Sequence, residues 1–308
     1  MCRLNVIKLE TGYVGFAMIF NVSTSGSTGS AMLANMFNKL GCVCFHGFGR
    51  GHFRFDVDMP NIPKTLSQEH GILYFEPTMH PEVLAGHLQA LQKTLKTEQP
   101  IGITHTFFQT TNVRDAFKKR NGYHFCIVRN PNDRIKSQIT AKIKDVLLKY
   151  NQSIDTLTGK ELQDQAKEIM KAKSEDFRRF SSLVTLSTLF TDADNIQFSD
   201  VDEIIKFEGM FEPREDTPLV RLTSNISKTD RKEVVNCLLN SEKINEHLDF
   251  KLDLSFILSG SMKDDFKSIL DHQYDSVENH FNVKLGSLYS NLGYDVSVET
   301  ILKKLSIN

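Results

Sequence analysis

Gly15–Leu40 reads GFAMIFNVSTSGSTGSAMLANMFNKL and predicts, in this order, a buried strand, a loop of small residues and a helix. The apolar run Phe16–Phe20 is short and nearly unbroken, which is typical of a strand covered on both faces. Ser23–Ser30 contains only Ser, Thr and Gly. Apolar residues then recur at helical spacing as far as Leu40, and Gly41 follows as a natural C-cap. The stretch therefore favours an α/β fold organised around this strand-loop-helix unit.

The loop of this unit has the chemistry of an oxyanion site. In such a loop we expect backbone N–H groups, the positive end of a helix dipole and the hydroxyls of Ser25, Ser27 and Thr28 to point toward one place. We expect a phosphate or sulfate group to bind there, with an ordinary strand-to-helix turn as the alternative. The Walker A pattern is absent because no lysine follows the glycines of the loop.

Composition limits the classes of function. The 308 residues suffice for a full hydrophobic core, and we expect one domain over residues 1–308. The 37 Lys and Arg against 38 Asp and Glu give a formal net charge of −1, which argues against nucleic acid as a partner. The five cysteines are odd in number and show no CxxC spacing, which argues against a disulfide framework or a zinc site. The sequence shows neither a signal peptide nor a membrane span, so we expect a cytoplasmic protein that does not bind membranes.

The segment 42–58, CVCFHGFGRGHFRFDVD, is interrupted by glycines and carries basic residues among aromatics. It is expected to form a loop near the ligand. The simplest interpretation is a basic surface loop, and the alternative is that His46 or Arg50 lines the pocket of an acceptor substrate.

Two further apolar runs, Pro100–Phe108 and Tyr123–Val128, predict buried strands. His105 falls near the C-terminal end of the first of them, which in a doubly wound sheet is the edge that binds ligands. A histidine at such a place is either a hydrogen-bonded core residue or a functional one.

The second strand continues directly into Arg129-Asn-Pro-Asn-Asp-Arg-Ile-Lys-Ser137. Pro131 ends the strand, Asp133 is expected to cap a helix, and Ser137 lies about one turn inside that helix. Arg129 and Ser137 can therefore converge on one oxyanion, as a charged fork and a hydroxyl.

These motifs together resemble those of the sulfotransferases that use 3′-phosphoadenosine 5′-phosphosulfate (PAPS). Ser25-Gly26-Ser27-Thr28 is similar to the family's first loop, (K/R)-S-G-T-T. Arg129–Arg134 with Ser137 matches its second motif, R-(D/N)-P-x-(D/E)-R followed by Ser. Thr104-His105 is similar to its T-H pair, and Phe207-Glu208 resembles the start of its Y-E-D-L segment.

The resemblance implies a three-layer α/β/α fold with a central, mainly parallel sheet, in a P-loop-like sulfotransferase architecture. It implies that His105 is the general base, that Arg129 and Ser137 hold the 3′-phosphate, and that Phe207 lies near the adenine. It further implies PAPS as donor, adenosine 3′,5′-bisphosphate (PAP) as product, no metal, and a small-molecule acceptor with a hydroxyl or amine. The residues implied to hold the 5′-phosphosulfate are Thr24, Ser25, Gly26, Ser27, Thr28, Gly29 and Ser30.

The chain departs from the family pattern at several positions. The basic residue that opens the first loop is Thr24, the lysine before T-H is Ile103, and the aromatic after the first loop is Gly29. A replacement cation is expected from Arg50 or Arg54. Two alternatives stay open: a PAP-binding protein with little or no catalysis, and a P-loop kinase or NTPase.

Overall fold

A computed structural model of the chain describes residues 18–24, 29–48, 52–54, 80–106, 113–150, 174–197, 201–241 and 262–306, together with residues 161, 164, 165 and 168. The strands in these ranges are β1 (Ile19–Thr24), β2 (Val43–Phe48), β3 (His52–Arg54), β4 (Ile101–Thr106), β5 (Gly122–Val128) and β6 (Glu203–Lys206). They form one sheet in the order β3-β2-β4-β1-β5-β6. All neighbours are parallel except β3, which pairs antiparallel with β2 at the edge.

Helices connect the strands and make up the C-terminal part of the described chain. No helix in the described ranges is long and apolar enough to cross a membrane. A short 3-10 helix, Phe207–Met210, directly follows β6. The α-helices are α1 (Ser30–Lys39), α2 (Pro81–Thr94), α3 (Val113–Lys118), α4 (Pro131–Tyr150), α5 (Ser174–Gln197), α6 (Pro218–Ser227), α7 (Arg231–Leu239), α8 (Met262–Phe281), α9 (Leu285–Ser290) and α10 (Val298–Ser306).

The sheet is the middle one of three layers. Side chains alternate along each strand, so the two faces of the sheet meet different helices. On one face, Phe20 and Val22 pack with α1, α6 and α7. On the opposite face, Ile19 packs with α2 and α3, and Val128 packs with α4, α5 and the last three helices. The prediction of a central, mainly parallel sheet flanked by helices is confirmed.

β1 lies at the point where the order of the strands reverses. It is paired with β4 on one side and with β5 on the other. The chain leaves β1 through α1 on one face and leaves β5 through α4 on the other face. Ligands of open parallel sheets bind in the crevice that such a reversal opens at the carboxyl ends of the strands.

The first strand extends farther into the polar stretch than the sequence predicts. We expected a strand over Phe16–Phe20, of which residues 16 and 17 lie outside the described ranges, but β1 continues to Thr24. The polar Asn21 is buried here because a neighbouring strand supplies its partner: the Asn21 amide lies 2.8 Å from His124 Nδ1 on β5. Backbone pairing on both edges thus keeps a polar sequence in the strand.

The expectation of a loop over 42–58 was wrong for the described part of that segment. β2 and β3 form an antiparallel pair there, with His46 opposite Arg54 and Phe48 opposite His52. β2 also pairs in parallel with β4. The glycines led to the error, whereas the alternation of Val43 and Phe45 with less apolar residues is the pattern of a strand.

A buried ion pair joins α4 to α5. Arg134 Nη1 lies 2.5 Å from Asp192 Oδ1, and the side chains of both residues are only 1% exposed. Arg134 Nη2 donates to the Thr188 carbonyl at 3.1 Å, and the Tyr289 hydroxyl donates to Asp192 Oδ2 at 3.1 Å. The pair thus joins α4, α5 and α9. Removal of one of its two partners leaves the other charge buried without compensation.

We therefore predict that Asp192→Asn lowers the free energy of unfolding by about 3–5 kcal/mol, measured by chemical denaturation. The matched control is Glu175→Gln, which removes the carboxylate of an ion pair with Arg178 in which the Glu175 side chain is 82% exposed. Its cost should not exceed about 1 kcal/mol. Equal small losses for the two variants would contradict a structural role for the buried pair.

Candidate functional site

Thr24, the last residue of β1, is a buried hydroxyl at the start of the first loop. It is 0% exposed and shares the alternation of Phe20 and Val22, so it lies on the face that α1 covers. Its Oγ1 has no hydrogen-bond partner within the described ranges, although buried hydroxyls normally have one. The next four residues predicted for the site, Ser25, Gly26, Ser27 and Thr28, lie outside those ranges.

Gly29 is the N-cap of α1 and adopts the left-handed conformation, with φ 68° and ψ 21°. The first intrahelical bond runs from Leu33 N–H to the Gly29 carbonyl at 3.0 Å. Gly29 has no side chain with which to cap the N–H groups of the first turn, and that turn contains no acidic residue. The positive end of the helix dipole is therefore not offset by the helix's own first turn.

Phe207 brings the first loop and the Arg129 motif together. A Cβ atom added to Gly29 would lie 2.8 Å from Phe207 Cε2. The guanidinium carbon of Arg129 lies 4.8 Å from the centroid of the same Phe207 ring. Three residues that are far apart in sequence thus meet at the carboxyl ends of β1, β5 and β6. The absence of an aromatic side chain at Gly29 has a physical reason, because the Phe207 ring fills that space.

The turn after Arg129 is held by two side chains. The Asn130 carboxamide oxygen accepts from Asn132 N–H at 3.0 Å, and Asn130 N–H donates to Glu208 Oε1 at 3.1 Å. Asn130 therefore caps α4, and the expectation that Asp133 does so was wrong. Pro131 already occupies the first helical position, and Asp133 forms an ion pair with Lys304.

Arg129 is a half-buried cation at this turn. Burial lowers the pKa of Arg129, while the nearby carboxylates of Asp133 and Glu208 raise it. Arginine stays protonated in proteins, so the site holds a local positive charge although the chain is nearly neutral. Ser137 lies in the second turn of α4 and is partly exposed.

β4 brings its Thr-His pair to the same edge of the sheet. The Thr104 hydroxyl donates to the Ser30 carbonyl at 3.0 Å, which ties β4 to the first residue of α1. The pairing of β4 with β1 is irregular here, because Val22 pairs with Thr104 and Ser23 pairs with Thr106. His105 is thus the extra residue of a β-bulge, a feature that is frequent next to active sites. Its side chain lies outside the described part of the structure.

Two buried histidines lie on separate strands of the sheet, His46 on β2 and His124 on β5. His46 Nε2 is 2.9 Å from Ser30 Oγ, and His124 Nδ1 is 2.8 Å from the side-chain nitrogen of Asn21. Burial lowers the pKa of His46 to about 4. Burial also lowers the pKa of His124 to about 3, against an opposing hydrogen bond with the Asn21 backbone. Both imidazoles are therefore neutral at physiological pH.

Glu208 and His46 make contacts at the candidate site that the sequence did not predict. Glu208 fixes a turn 78 residues away, and His46 contacts a serine 16 residues away across an intervening helix. The sequence offered Glu208 only as part of a motif and His46 only as a residue near an acceptor. No local pattern specifies either contact.

No family model matches the chain, and no curated protein matches it. Among solved structures, the chain is similar to a sulfotransferase from Alicyclobacillus acidocaldarius, with 13% sequence identity and a TM-score of 0.35. The match covers 88% of this chain and 98% of that chain. It is too weak to assign the chain to a family.

The described ranges contain no group of three or more His, Cys, Asp or Glu side chains that could hold a metal ion. Among the described residues, the site offers donors of three kinds: hydroxyls, backbone N–H groups and the guanidinium of Arg129. Such donors recognise oxyanions.

Gly29→Ala should destabilise the protein through two separable effects. The left-handed conformation costs an alanine roughly 1–2 kcal/mol, and the contact with Phe207 adds roughly 1–3 kcal/mol of overpacking. Gly41→Ala is the matched control, because Gly41 has φ +83° but nothing within 4 Å of an added Cβ. Chemical denaturation should show the larger loss at Gly29, and equal losses would show that Phe207 does not press on this position.

The buried histidines predict acid sensitivity. Between pH 6.5 and about 4 the unfolded chain binds a proton at His46 that the folded chain, with its lowered His46 pKa, does not bind. The free energy of unfolding should therefore fall as the pH is lowered through this window, by at most about 3 kcal/mol from His46. Unfolding titrations of His46→Gln should show a shallower dependence on pH, and an unchanged dependence would contradict the assignment.

Proposed function

We propose that this protein is a PAPS-dependent sulfotransferase whose donor site lies at the carboxyl ends of β1, β5 and β6. The observation that carries the proposal is the contact of Phe207 with both Gly29 and Arg129. These residues belong to three separate sequence motifs, and the family resemblance requires those motifs to meet at one ligand. The motifs were identified from the sequence without any information on which residues are in contact. The contact therefore supports the proposal independently of the motifs.

The residues present fit the donor. At its 5′ end, the Thr24 hydroxyl, the left-handed Gly29 and the N-terminus of α1 offer hydrogen-bond donors and positive potential to the phosphosulfate. At its 3′ end, Arg129 and Ser137 would hold the phosphate, with Phe207 beside the adenine. When bound, PAPS supplies an activated sulfuryl group. The loop residues from Ser25 to Ser30 complete the proposed cradle.

His105 is proposed as the general base that takes a proton from the hydroxyl or amine of a small-molecule acceptor. Its position in β4 supports this role, because the bulge lies one residue beyond Thr104, which is bonded to the first residue of α1. The hydrogen bond from Thr104, the residue before His105, to the Ser30 carbonyl thus links the proposed base to the start of α1.

One observation favours a second candidate, a PAP-binding protein without transfer activity. The two positions that carry cations in the family are a fully buried Thr24 and an Ile103 that is 1% exposed within the core. Neither side chain carries a positive charge that could stabilise the negative charge that develops on the sulfuryl group during transfer. A transfer enzyme therefore needs a cation from elsewhere, for which Arg50 and Arg54 remain the sequence-based candidates.

Recognition of the 3′-phosphate is tested by Arg129→Gln. Losing charge-assisted hydrogen bonds should weaken PAP binding by roughly 1.5–3 kcal/mol, which is about 10-fold to 150-fold in Kd. Binding of AMP, which lacks the 3′-phosphate, should change much less. Calorimetry measures both ligands, and Arg214→Gln, at an arginine whose side chain is 79% exposed, is the control that should leave both affinities unchanged. Unchanged PAP affinity in Arg129→Gln would remove the main support of the proposal.

The role of His105 is tested by His105→Ala in an assay that follows radiolabelled sulfur from PAPS to a panel of hydroxyl and amine acceptors. Turnover with a hydroxyl acceptor should fall by roughly 10²–10⁴-fold, while PAP affinity and melting temperature stay close to those of the parent. A parent that binds PAP but transfers nothing favours the second candidate. A stable, fully active His105→Ala variant rules His105 out as the base.

A further inference from the structure

His46 and Ser30 join the end of β2 to the first residue of α1. The two side chains are 7% and 6% exposed, and His46 Nε2 lies 2.9 Å from Ser30 Oγ. We infer that His46 is a positioning residue, which orients the Ser30 hydroxyl toward an oxyanion bound at the N-terminus of α1. Under the proposed function, on which this identity of the ligand rests, the oxyanion is the 5′-phosphosulfate of PAPS.

Ser30 is held from two adjacent strands. Its carbonyl accepts from the Thr104 hydroxyl on β4 at 3.0 Å, and its own hydroxyl meets His46 on β2. His46 and Thr104 are direct partners in the parallel pairing of these strands. Because Thr104 is 0% exposed as well, the three groups form one buried unit that fixes where the Ser30 side chain points.

A second observation indicates a ligand at this end of α1. Thr24, on the same face of the sheet, is fully buried, and its Oγ1 has no hydrogen-bond partner among the described residues. The left-handed Gly29 lies between this hydroxyl and Ser30 in the chain. Two buried hydroxyls therefore flank the segment that leads into the helix N-terminus.

The chemistry of an oxyanion determines how His46 has to act. Phosphate and sulfate oxygens only accept hydrogen bonds, so Ser30 can bind them only by donating its single hydroxyl hydrogen. In the tautomer that is protonated at Nε2, the imidazole donates to Ser30 Oγ, and the Ser30 hydroxyl can then donate to a bound oxyanion. Burial keeps the pKa of His46 low, so the imidazole is neutral at physiological pH. Hydrogen bonds linked in this way strengthen one another.

The chain contains an internal control for the packing of α1 on β2. At the other end of the same two elements, the Asn38 carboxamide accepts from Cys44 N–H at 2.7 Å and donates to the Cys44 carbonyl at 3.0 Å. This link also joins α1 to β2 but lies away from Gly29. A purely structural role for His46 predicts that both links behave alike.

The test is a double-mutant cycle in the full chain, with PAP binding measured by calorimetry and stability by chemical denaturation. His46→Leu and Ser30→Ala should each weaken PAP binding by roughly tenfold, and the double variant should be no weaker than Ser30→Ala alone. His46→Gln should recover most of the affinity, because its amide nitrogen can donate from nearly the same place. Asn38→Ala should lower stability and leave the affinity unchanged.

Three results would overturn the inference: an unchanged affinity in His46→Leu, losses that multiply in the double variant, or a His46→Gln variant as weak as His46→Leu. If His46→Leu does not fold, the PAP affinity of His46→Gln is measured in two backgrounds, one with Ser30 and one with Ser30→Ala. The comparison of these variants with Ser30→Ala alone then decides whether the inference holds. A parallel titration with inorganic pyrophosphate separates this inference from the proposed function. Coupling seen with pyrophosphate but no binding of PAP would leave the inference standing and reject the donor, whereas binding of neither rejects both.

Discussion

The ring of Phe207 lies close to both Gly29 and Arg129, and this packing sets the spacing between the two ends of the proposed donor site. The contact requires a residue without a side chain at position 29, in a conformation that glycine adopts easily. It also requires the turn after β5 to be fixed, which Glu208 does by accepting from Asn130 N–H and by bonding to Tyr294. The charge of Arg129 is thus held where a strand end, a helix N-terminus and an aromatic ring converge.

The two arginines of the second motif have different physical roles. Arg129 lies at the end of β5 and is half-buried. Arg134 is buried in the core, where it pairs with Asp192, and Asp192 also accepts a hydrogen bond from the Tyr289 hydroxyl. A buried ion pair contributes less to stability than its geometry suggests, but it strongly disfavours arrangements in which one partner is missing. We interpret Arg134 as the residue that sets how α4 packs, and through α4 how Arg129 and Ser137 are presented.

Much of the fold follows from local patterns. The apolar run before the first loop, the left-handed Gly41 after α1 and the strand over residues 122–128 were predicted because burial on both faces and helix caps leave strong local signals. The hairpin of β2 and β3 was missed because its strands contain glycines. The end of β1 was missed because its residues are polar, and only backbone pairing with β4 and β5 keeps them in the strand. The contacts of Glu208 and His46 depend on the tertiary fold alone. The loop residues 25–28 and the side chain of His105 remain predictions from the sequence.

The central claim is that one nucleotide spans the edge of the sheet from α1 to Arg129. A crystal structure of the protein grown with PAP tests it most directly. The account predicts the 5′-phosphate at the N-terminus of α1, within hydrogen-bond distance of Ser30, and the 3′-phosphate within hydrogen-bond distance of Arg129, with the adenine beside Phe207. PAP bound at another place, or bound here in the reverse orientation, would contradict it.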